Sequence, residues 1–207
     1  MTWNDINLRK WKQLEKINRE NYEDAILYSA EIVKVIFDID NPMDLSPQDF
    51  TKYIDDLSFI NTPIPEVKIC NSYNINGTKY NFRGNIFEIS MAQLMDVRSF
   101  TTKSEVDYAE VLSVFLIPDE HKYNDGYDME KTLDDIDSLP ITDVLKLYNF
   151  FSASLLLSMD IMTNYFNKEL KKTNLSKEEK QTIVKKMEEF KKITDLIFFR
   201  SPSATVK

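Results

Sequence analysis

A long apolar stretch from Pro140 to Lys168 constrains the fold of this chain more than any other feature. Its apolar residues recur at steps of three and four, which is the periodicity of one helix about 40 Å long at about 1.5 Å per residue. A helix that is apolar around most of its circumference is buried on most sides. Charges at Lys146 and Asp160 interrupt it before the roughly 20 apolar residues that span a bilayer. We therefore predict a core or assembly helix whose two buried rows consist of Val144, Leu147, Tyr148, Phe150, Phe151, Leu155, Leu157, Met159, Ile161, Met162 and Phe166.

The composition is that of a folded protein and disfavours several functional classes. Hydrophobic residues make up 43% and charged residues 29% of the 207 residues, which is ordinary for a folded domain. The three glycines cannot form the glycine-rich phosphate loops of nucleotide-binding motifs. A net charge of −8 argues against double-stranded nucleic acid as a partner for most of the surface. We also expect no membrane partner, no small-molecule ligand and no cofactor.

Cysteine content and the N-terminal residues indicate the compartment. Cys70 is the single cysteine, which excludes an internal disulfide and fits a reducing cytoplasm. Residues 1–12 carry scattered charges and lack the apolar segment of a signal peptide. We therefore expect the protein to reside in a cytoplasm after its synthesis.

Three helices are predicted before residue 63. The first spans residues 2–17 and begins with capping-box spacing at Thr2 and Asp5. The second spans residues 21–37, with Ile26 among its inward positions, and the third begins at Ser46 with a proline in its first turn. Two large aromatic residues on the first helix, Trp3 and Trp11, are predicted to anchor it in the core, with a partner interface as the alternative.

Residues 65–90 change to the alternating pattern of strands. The pair Asn76-Gly77 lies between two such runs, and both residues accept the positive φ angles of a type I′ hairpin turn. This turn would place Tyr73 opposite Tyr80. Because a lone hairpin is marginally stable in water, its apolar face must pack on helices or a third strand, and we assign that strand to residues 85–90.

Helical periodicity returns after the hairpin. Residues 90–100 are predicted to form a helix with Met91, Leu94, Met95 and Val97 facing inward, and residues 103–116 a second helix that ends before Pro118. Residues 119–137 are the most acidic and least periodic part of the chain, so we predict a surface loop with one helical turn at most.

This acidic segment, residues 119–137, is the one place where catalytic or metal chemistry could be argued. Its pattern is not that of an EF-hand, and His121 as the only histidine makes a zinc site improbable. A thiol nucleophile would need Cys70 beside His121, and Cys70 is predicted on the polar side of a hairpin. We predict no catalytic, cofactor or metal residues, while cation binding by this segment stays open. Its candidate ligands are Asp119, Glu120, His121, Asp125, Asp128 and Glu130.

A separate amphipathic helix is predicted at residues 174–200, with a capping box at Ser176 and Glu179. The linker before it is short, so it can fold back antiparallel on the long helix or reach a neighbouring subunit. Lysines cluster in this quarter of the chain, which favours a solvated face or a docking surface for acidic partners. Its predicted apolar stripe consists of Ile183, Met187, Phe190, Ile193 and Ile197.

Together these patterns predict an α+β, mainly α fold. Residues 1–172 would form one mainly helical domain with the hairpin region 65–90 inserted, and residues 173–207 a C-terminal helix and tail. The residues singled out as a possible partner interface are Trp3, Trp11, Lys185, Lys186, Phe190 and Ile197.

The order of short motifs resembles that of a viral protein group. The chain has a W-x-D-I start at Trp3, the hairpin, the segment NIFEIS, a helix ending before Pro118, a loop from Tyr123 to Tyr127 and an LPITD start to the long helix. This order resembles small proteins from the structural modules of tailed bacteriophages, including crAss-like phages, among which are tail assembly chaperones and head-to-tail components. The resemblance covers about residues 3–166.

This resemblance implies a protein that catalyses nothing and binds copies of itself or other phage structural proteins. It would work in the host cytoplasm during assembly or in the virion. A second hypothesis is an acidic inhibitor or decoy that occupies a basic groove on a host nucleic-acid enzyme. A third is an enzyme that uses carboxylates of the acidic segment.

Overall fold

The computed structural model describes residues 1–85, 88–172 and 176–185. Within these ranges the chain is mainly helical with a small antiparallel sheet, which confirms the α+β, mainly α prediction. A further helical stretch covers residues 177–185. The helices and strands, in chain order, are α1 (Leu8–Leu14), α2 (Ala25–Phe37), α3 (Pro47–Asp56), β1 (Ser72–Ile75), β2 (Thr78–Phe82), α4 (Met91–Thr101), α5 (Tyr108–Ser113), β3 (Leu116–Pro118), α6 (Met129–Asp137) and α7 (Ile141–Lys172).

The prediction of one continuous helix over residues 2–17 is wrong. A 3-10 turn at Trp3–Asp5 is followed by extended backbone at Ile6, and α1 begins only at Leu8. The break has a partner, because the Ile141 N–H donates to the Ile6 carbonyl at 2.7 Å and the Leu8 N–H donates to the Leu139 carbonyl at 2.9 Å. Backbone pairing with the start of α7 therefore replaces helical bonds that local periodicity had predicted.

The next two helices form close to the predicted positions. The second helix begins later than predicted, at Ala25, where the Asp24 carboxylate accepts from the Ile26 N–H at 2.7 Å and caps it. Ile26 is exposed rather than inward, because the start of α2 lies at the surface. The start of α3 is confirmed, with the Ser46 Oγ accepting from the Asp49 N–H at 3.2 Å.

The hairpin and its register are confirmed. Asn76 and Gly77 both have positive φ, 49° and 81°, and Tyr73 pairs with Tyr80 across β1 and β2. A left-handed conformation at two successive residues is the requirement of a type I′ turn, which explains why Asn-Gly occupies it.

The third strand of the described sheet is not the predicted segment 85–90, of which residues 86 and 87 lie outside the described residues. It is β3, which pairs antiparallel with the outer side of β2 and gives the sheet order β1-β2-β3. Its first two residues, Leu116 and Ile117, are buried. The predicted helix over residues 103–116 is correspondingly shorter and ends at Ser113, since the chain must extend to join the sheet.

Two further predictions about helices are wrong. Helix α4 buries Val97 as predicted, but it also turns Gln93 inward and leaves Met91 and Met95 exposed, because the Gln93 Nε2 donates to the Val114 carbonyl at 2.8 Å. The acidic segment, predicted as a loop, contains α6, which begins where the Asp128 carboxylate accepts from the Lys131 N–H.

The core lies where the first half of α7 meets α5 and the turn that follows α5. The rings of Phe151 and Phe115 lie 4.1 Å apart, and those of Tyr148 and Tyr108 are 4.9 Å apart and nearly perpendicular. Ile141, Val144, Leu147 and Phe151 are fully buried on the same face. Stacking and edge contacts of this kind add to the apolar area that the helix buries. This packing fixes the first three turns of α7 in the body of the protein.

Candidate protein-binding surface

One face of α7 carries large side chains with high solvent exposure. Phe150 is 43% exposed, Leu157 63% and Tyr165 61%. Positions separated by seven or eight residues lie on nearly the same side of a helix. We call these three residues the α7 row. Phe150 and Leu157 were predicted to be buried, and that prediction is wrong because the elements packed against α7 cover its other faces.

Among the described side chains of α7, those that pack against the main core lie in the first part of the helix. Among the described side chains, Leu155 is the last on α7 that packs against the main core. The helix continues for 17 residues to Lys172, which is about 25 Å at 1.5 Å per residue. Leu170 is buried outside that core and lies on the face opposite the row by helical spacing. The row therefore begins at the body and extends along the outer part of the helix.

The start of α7 is held firmly, so the direction of the row is determined. Two backbone hydrogen bonds join the segments around Asn7 and Pro140, which pair with each other as a short antiparallel bridge. The Thr142 Oγ1 also donates to the Asn4 Oδ1 at 2.8 Å. All three bonds join residues more than 130 positions apart in the chain. They align α7 with the N-terminal segment before the helix leaves the core.

The sheet lies beside the first residue of the row. The rings of Phe82 and Phe150 are 5.9 Å apart in an edge arrangement. A Cβ atom at Gly84 would come within 2.5 Å of the Phe82 ring and 3.1 Å of the Phe150 ring. A glycine at this position thus allows the chain after β2 to pass close to both aromatic rings.

The hairpin is attached to α6 by a buried carboxylate that sequence analysis did not identify. Asp135 is 3% exposed and accepts from the Tyr80 hydroxyl at 2.7 Å, the Asn76 Nδ2 at 2.8 Å and the Lys131 Nζ at 2.6 Å. Burial alone would raise the pKa of Asp135, but the three hydrogen bonds outweigh it and lower the pKa. Burial and the same carboxylate raise the pKa of Tyr80. The site joins two elements and exposes no reactive group.

The two tryptophans proposed as partner anchors lie in the core. Trp3 is 5% and Trp11 4% exposed, and their rings meet edge to face at 5.7 Å. Trp3 also packs against Phe59 at 5.1 Å and donates from Nε1 to the Thr62 carbonyl at 3.0 Å. A partner would contact almost none of their surface, so the partner-anchor alternative is corrected in favour of the core prediction.

The other predicted interface residues lie near or beyond the end of the described chain. Lys185 is exposed on the helical stretch 177–185. Lys186, Phe190 and Ile197 lie outside the described residues. The capping box that starts this stretch is confirmed, since the Ser176 N–H donates to the Glu179 carboxylate at 2.9 Å and the Glu179 N–H donates to the Ser176 Oγ at 3.2 Å.

Two side chains of the acidic segment, those of Asp119 and Tyr123, have structural partners. Asp119 pairs with Lys79 at 2.8 Å and also accepts from Asn81, and these bonds lower the pKa of Asp119. The Tyr123 hydroxyl donates to Asp96 at 2.6 Å. Among residues 1–85, 88–172 and 176–185, no three histidine, cysteine or acidic side chains are grouped as metal ligands would be.

A cleft of about 360 Å³ with a mixed polar and apolar lining lies between the end of β2 and the start of α4. Arg83 and Lys122 bring positive charge to it, while Ile117 and Ile89 form an apolar part of its wall. The Arg83 guanidinium donates to the His121 carbonyl at 3.1 Å, so this charge already serves to hold the loop after β3.

Comparisons of this chain with protein-family models, with curated proteins and with solved structures found no match. The resemblance to tailed-phage proteins therefore stays a prediction from the sequence. None of the helices in the described ranges combines the length and hydropathy needed to cross a membrane. The α7 row is the feature of the described surface that most clearly fits a binding role.

Proposed function

We propose that this protein acts by binding other proteins through the α7 row, as a structural or assembly protein of a tailed bacteriophage. The observation that supports the proposal is the exposure of Phe150, Leu157 and Tyr165 along one face of a helix that extends beyond the core. Large exposed apolar side chains in a contiguous arrangement are typical of interaction sites.

The spacing of the row indicates the kind of contact. Apolar anchors about two helical turns apart fit the groove of a partner or the seam of a second helix. Phe150 and Tyr165 are aromatic, and aromatic residues are enriched at the centres of protein interfaces. The phage assignment rests on the sequence resemblance, and the exposed row agrees with it because that group works through protein contacts.

The test is co-purification with the virion proteins encoded in the same gene cluster. The wild-type chain is compared with Leu157→Glu and with the matched control Met95→Glu, which places the same charge on an exposed methionine of α4. Glutamate has good helix propensity, so neither change should disrupt its helix. We expect at least one virion protein to bind the wild type and the control, and Leu157→Glu to reduce its recovery about tenfold or more, the equivalent of about 1.4 kcal/mol.

Two outcomes would contradict the proposal. One is that no structural protein of the cluster binds the wild type. The other is that Leu157→Glu and Met95→Glu reduce recovery equally, which would place the interface elsewhere. Salt-sensitive binding to a host nuclease or polymerase in place of virion proteins would instead favour the decoy hypothesis.

A further inference from the structure

We infer that Asn76 is a site of spontaneous deamidation and that the hydrogen bonds between the hairpin and α6 control the rate of this reaction. These bonds run to the Asp135 carboxylate from Asn76, Tyr80 and Lys131, and we call them the hairpin anchor. The reaction requires only water and is independent of the α7 row.

The pair Asn76-Gly77 has the chemistry that makes an asparagine side chain reactive. An asparagine deamidates most readily before a glycine, because the following backbone nitrogen has no neighbouring Cβ that hinders its approach. A Cβ built at Gly77 would have no atom of the described residues within 4 Å, so the space beside this glycine is open. Asn76 is itself exposed to water. No other asparagine in the sequence precedes a glycine.

The reaction proceeds through a cyclic imide. The Gly77 backbone nitrogen gives its proton to hydroxide and attacks the Asn76 Cγ, so that a new N–Cγ bond forms. The Cγ–Nδ2 bond then breaks, and Nδ2 takes up a proton and leaves as ammonia. Water opens the imide at either carbonyl and yields aspartate or isoaspartate at position 76. The sum is one water consumed and one ammonia released, without any oxidant or cofactor.

The hairpin anchor restrains the side chain that must react. The Asn76 Nδ2 donates to the Asp135 Oδ1 at 2.8 Å and to the Ser138 Oγ at 3.5 Å. Ring closure requires this side chain to fold over the following peptide group, which breaks both contacts. A hydrogen bond to a charged acceptor is stronger than one between neutral groups. Deamidation therefore takes place in the fraction of molecules in which the hairpin has opened locally from α6.

The product no longer fits the hairpin anchor. Aspartate at position 76 places a carboxylate where the amide had donated to Asp135. Helix α6 carries four acidic residues and one lysine, so the surrounding charge adds to the repulsion. That lysine, Lys131, already donates to Asp135 and to the Thr78 Oγ1. Isoaspartate adds a methylene to the main chain, which a two-residue type I′ turn cannot accommodate. Deamidation thus releases the hairpin from α6, and the loss of ammonia makes the change irreversible.

Peptide mapping by mass spectrometry on the purified full-length chain measures the rate of this reaction. The chain is incubated at mildly alkaline pH, and conversion at position 76 is followed by the mass gained as NH₂ becomes OH. We expect conversion at least about tenfold slower than in a synthetic peptide of residues 71–82, because a hydrogen bond to a charged group resists opening by about this factor. Conversion of the folded chain at the rate of the peptide would overturn the inference.

A matched pair of variants tests whether the hairpin anchor sets the rate. Asp135→Ala removes the acceptor of the anchor, whereas the control Asp119→Ala removes an exposed carboxylate that pairs with Lys79 on the same hairpin. Circular dichroism first establishes that both variants are folded. We expect Asp135→Ala to accelerate conversion of Asn76 at least about tenfold and the control to change it less than about twofold. Equal rates in the two variants would overturn the inference.

A second measurement does not depend on the folding of Asp135→Ala. Asn76→Asp reproduces one product of the reaction, while the control Asn76→Gly removes the same amide and tolerates the positive φ of the turn. Hydrogen exchange then compares the backbone amides of β1 and β2 with those of α5. We expect the hairpin amides to exchange at least about tenfold faster in Asn76→Asp than in the control, with α5 unchanged. Equal exchange of the hairpin in the two variants would overturn the inference.

Discussion

The buried carboxylate of Asp135 offers the sharpest test of how the hairpin is held. Substituting asparagine keeps the shape but replaces one acceptor oxygen by an NH₂ group that can only donate. The Tyr80 hydroxyl, whose residue is 1% exposed, and the Asn76 amide both need an acceptor at this position. In Asp135→Asn, at least one of these two donors would therefore lie opposite the new NH₂ group and lose its hydrogen bond.

The expected loss of stability depends on which hydrogen-bond partners of Asp135 can be rehydrated. The Lys131 side chain is half exposed and can be rehydrated, so the loss of its ion pair contributes little. The Tyr80 hydroxyl cannot be rehydrated in this way. A buried polar group that loses its hydrogen-bond partner costs about 1–3 kcal/mol. We expect Asp135→Asn to lower the free energy of unfolding by about 2 kcal/mol. Asp119→Asn, which alters an exposed carboxylate directly after β3, should have a much smaller effect.

Equilibrium urea unfolding, followed by circular dichroism at several pH values, measures this difference. The pKa of Asp135 is lowered in the folded state, so its contribution is fully present above the unfolded-state pKa of about 3.9 and is lost as the pH falls through the folded-state value. The gap between wild type and Asp135→Asn should be constant from about pH 5 to 7 and shrink below about pH 4. A gap below about 0.5 kcal/mol at neutral pH, or one that widens in acid, would refute this account of Asp135.

Two further changes test the turn and the core. Gly77→Ala places a Cβ in open space but at a φ of 81°, so it should destabilise the protein by about 1–2 kcal/mol through backbone strain alone; an unchanged urea midpoint would argue against the type I′ turn. Trp3→Ala removes a buried ring that contacts Trp11 and Phe59 and should cost about 3–5 kcal/mol. A loss below about 1 kcal/mol in the same urea assay would place Trp3 at the surface.

Features set by local chemistry were predictable from the sequence. The Asn76-Gly77 turn, the Ser46 cap of α3 and the capping box at Ser176 depend on residues within four positions of one another, and each formed as predicted. Hairpin register followed from the turn because a two-residue loop leaves no freedom in pairing. The mainly α class followed from the number of segments with helical periodicity.

Features set by distant residues were missed. Helix α6 was predicted as a loop because acidic residues dominate the segment, and the buried Asp135 is stabilised by partners that include Tyr80 on another element. The third strand was misplaced because β3 is only three residues long and reads as the end of a helix. In α4, the hydrogen bond from Gln93 to Val114 turns a polar side chain inward, which hydrophobicity alone does not predict.

The candidate surface was missed for a related reason. Apolar residues surround most of α7, so periodicity indicated a buried helix but not which side the remaining elements would cover. Phe151 and Leu147 face the core, while Phe150 and Leu157 lie outside it. Only the placement of α5 and the N-terminal segment, which is fixed by long-range bonds, decides between the two sides.

Photo-crosslinking from the row tests the central claim most directly. A benzophenone side chain replaces Leu157 in the full-length chain, which is produced together with the virion proteins of its gene cluster, and a control carries the same group at Met95. The account predicts an adduct with a phage structural protein from position 157 that is at least about tenfold more abundant than from position 95. No adduct with such a protein, or equal yields from both positions, would contradict a binding role for the α7 row.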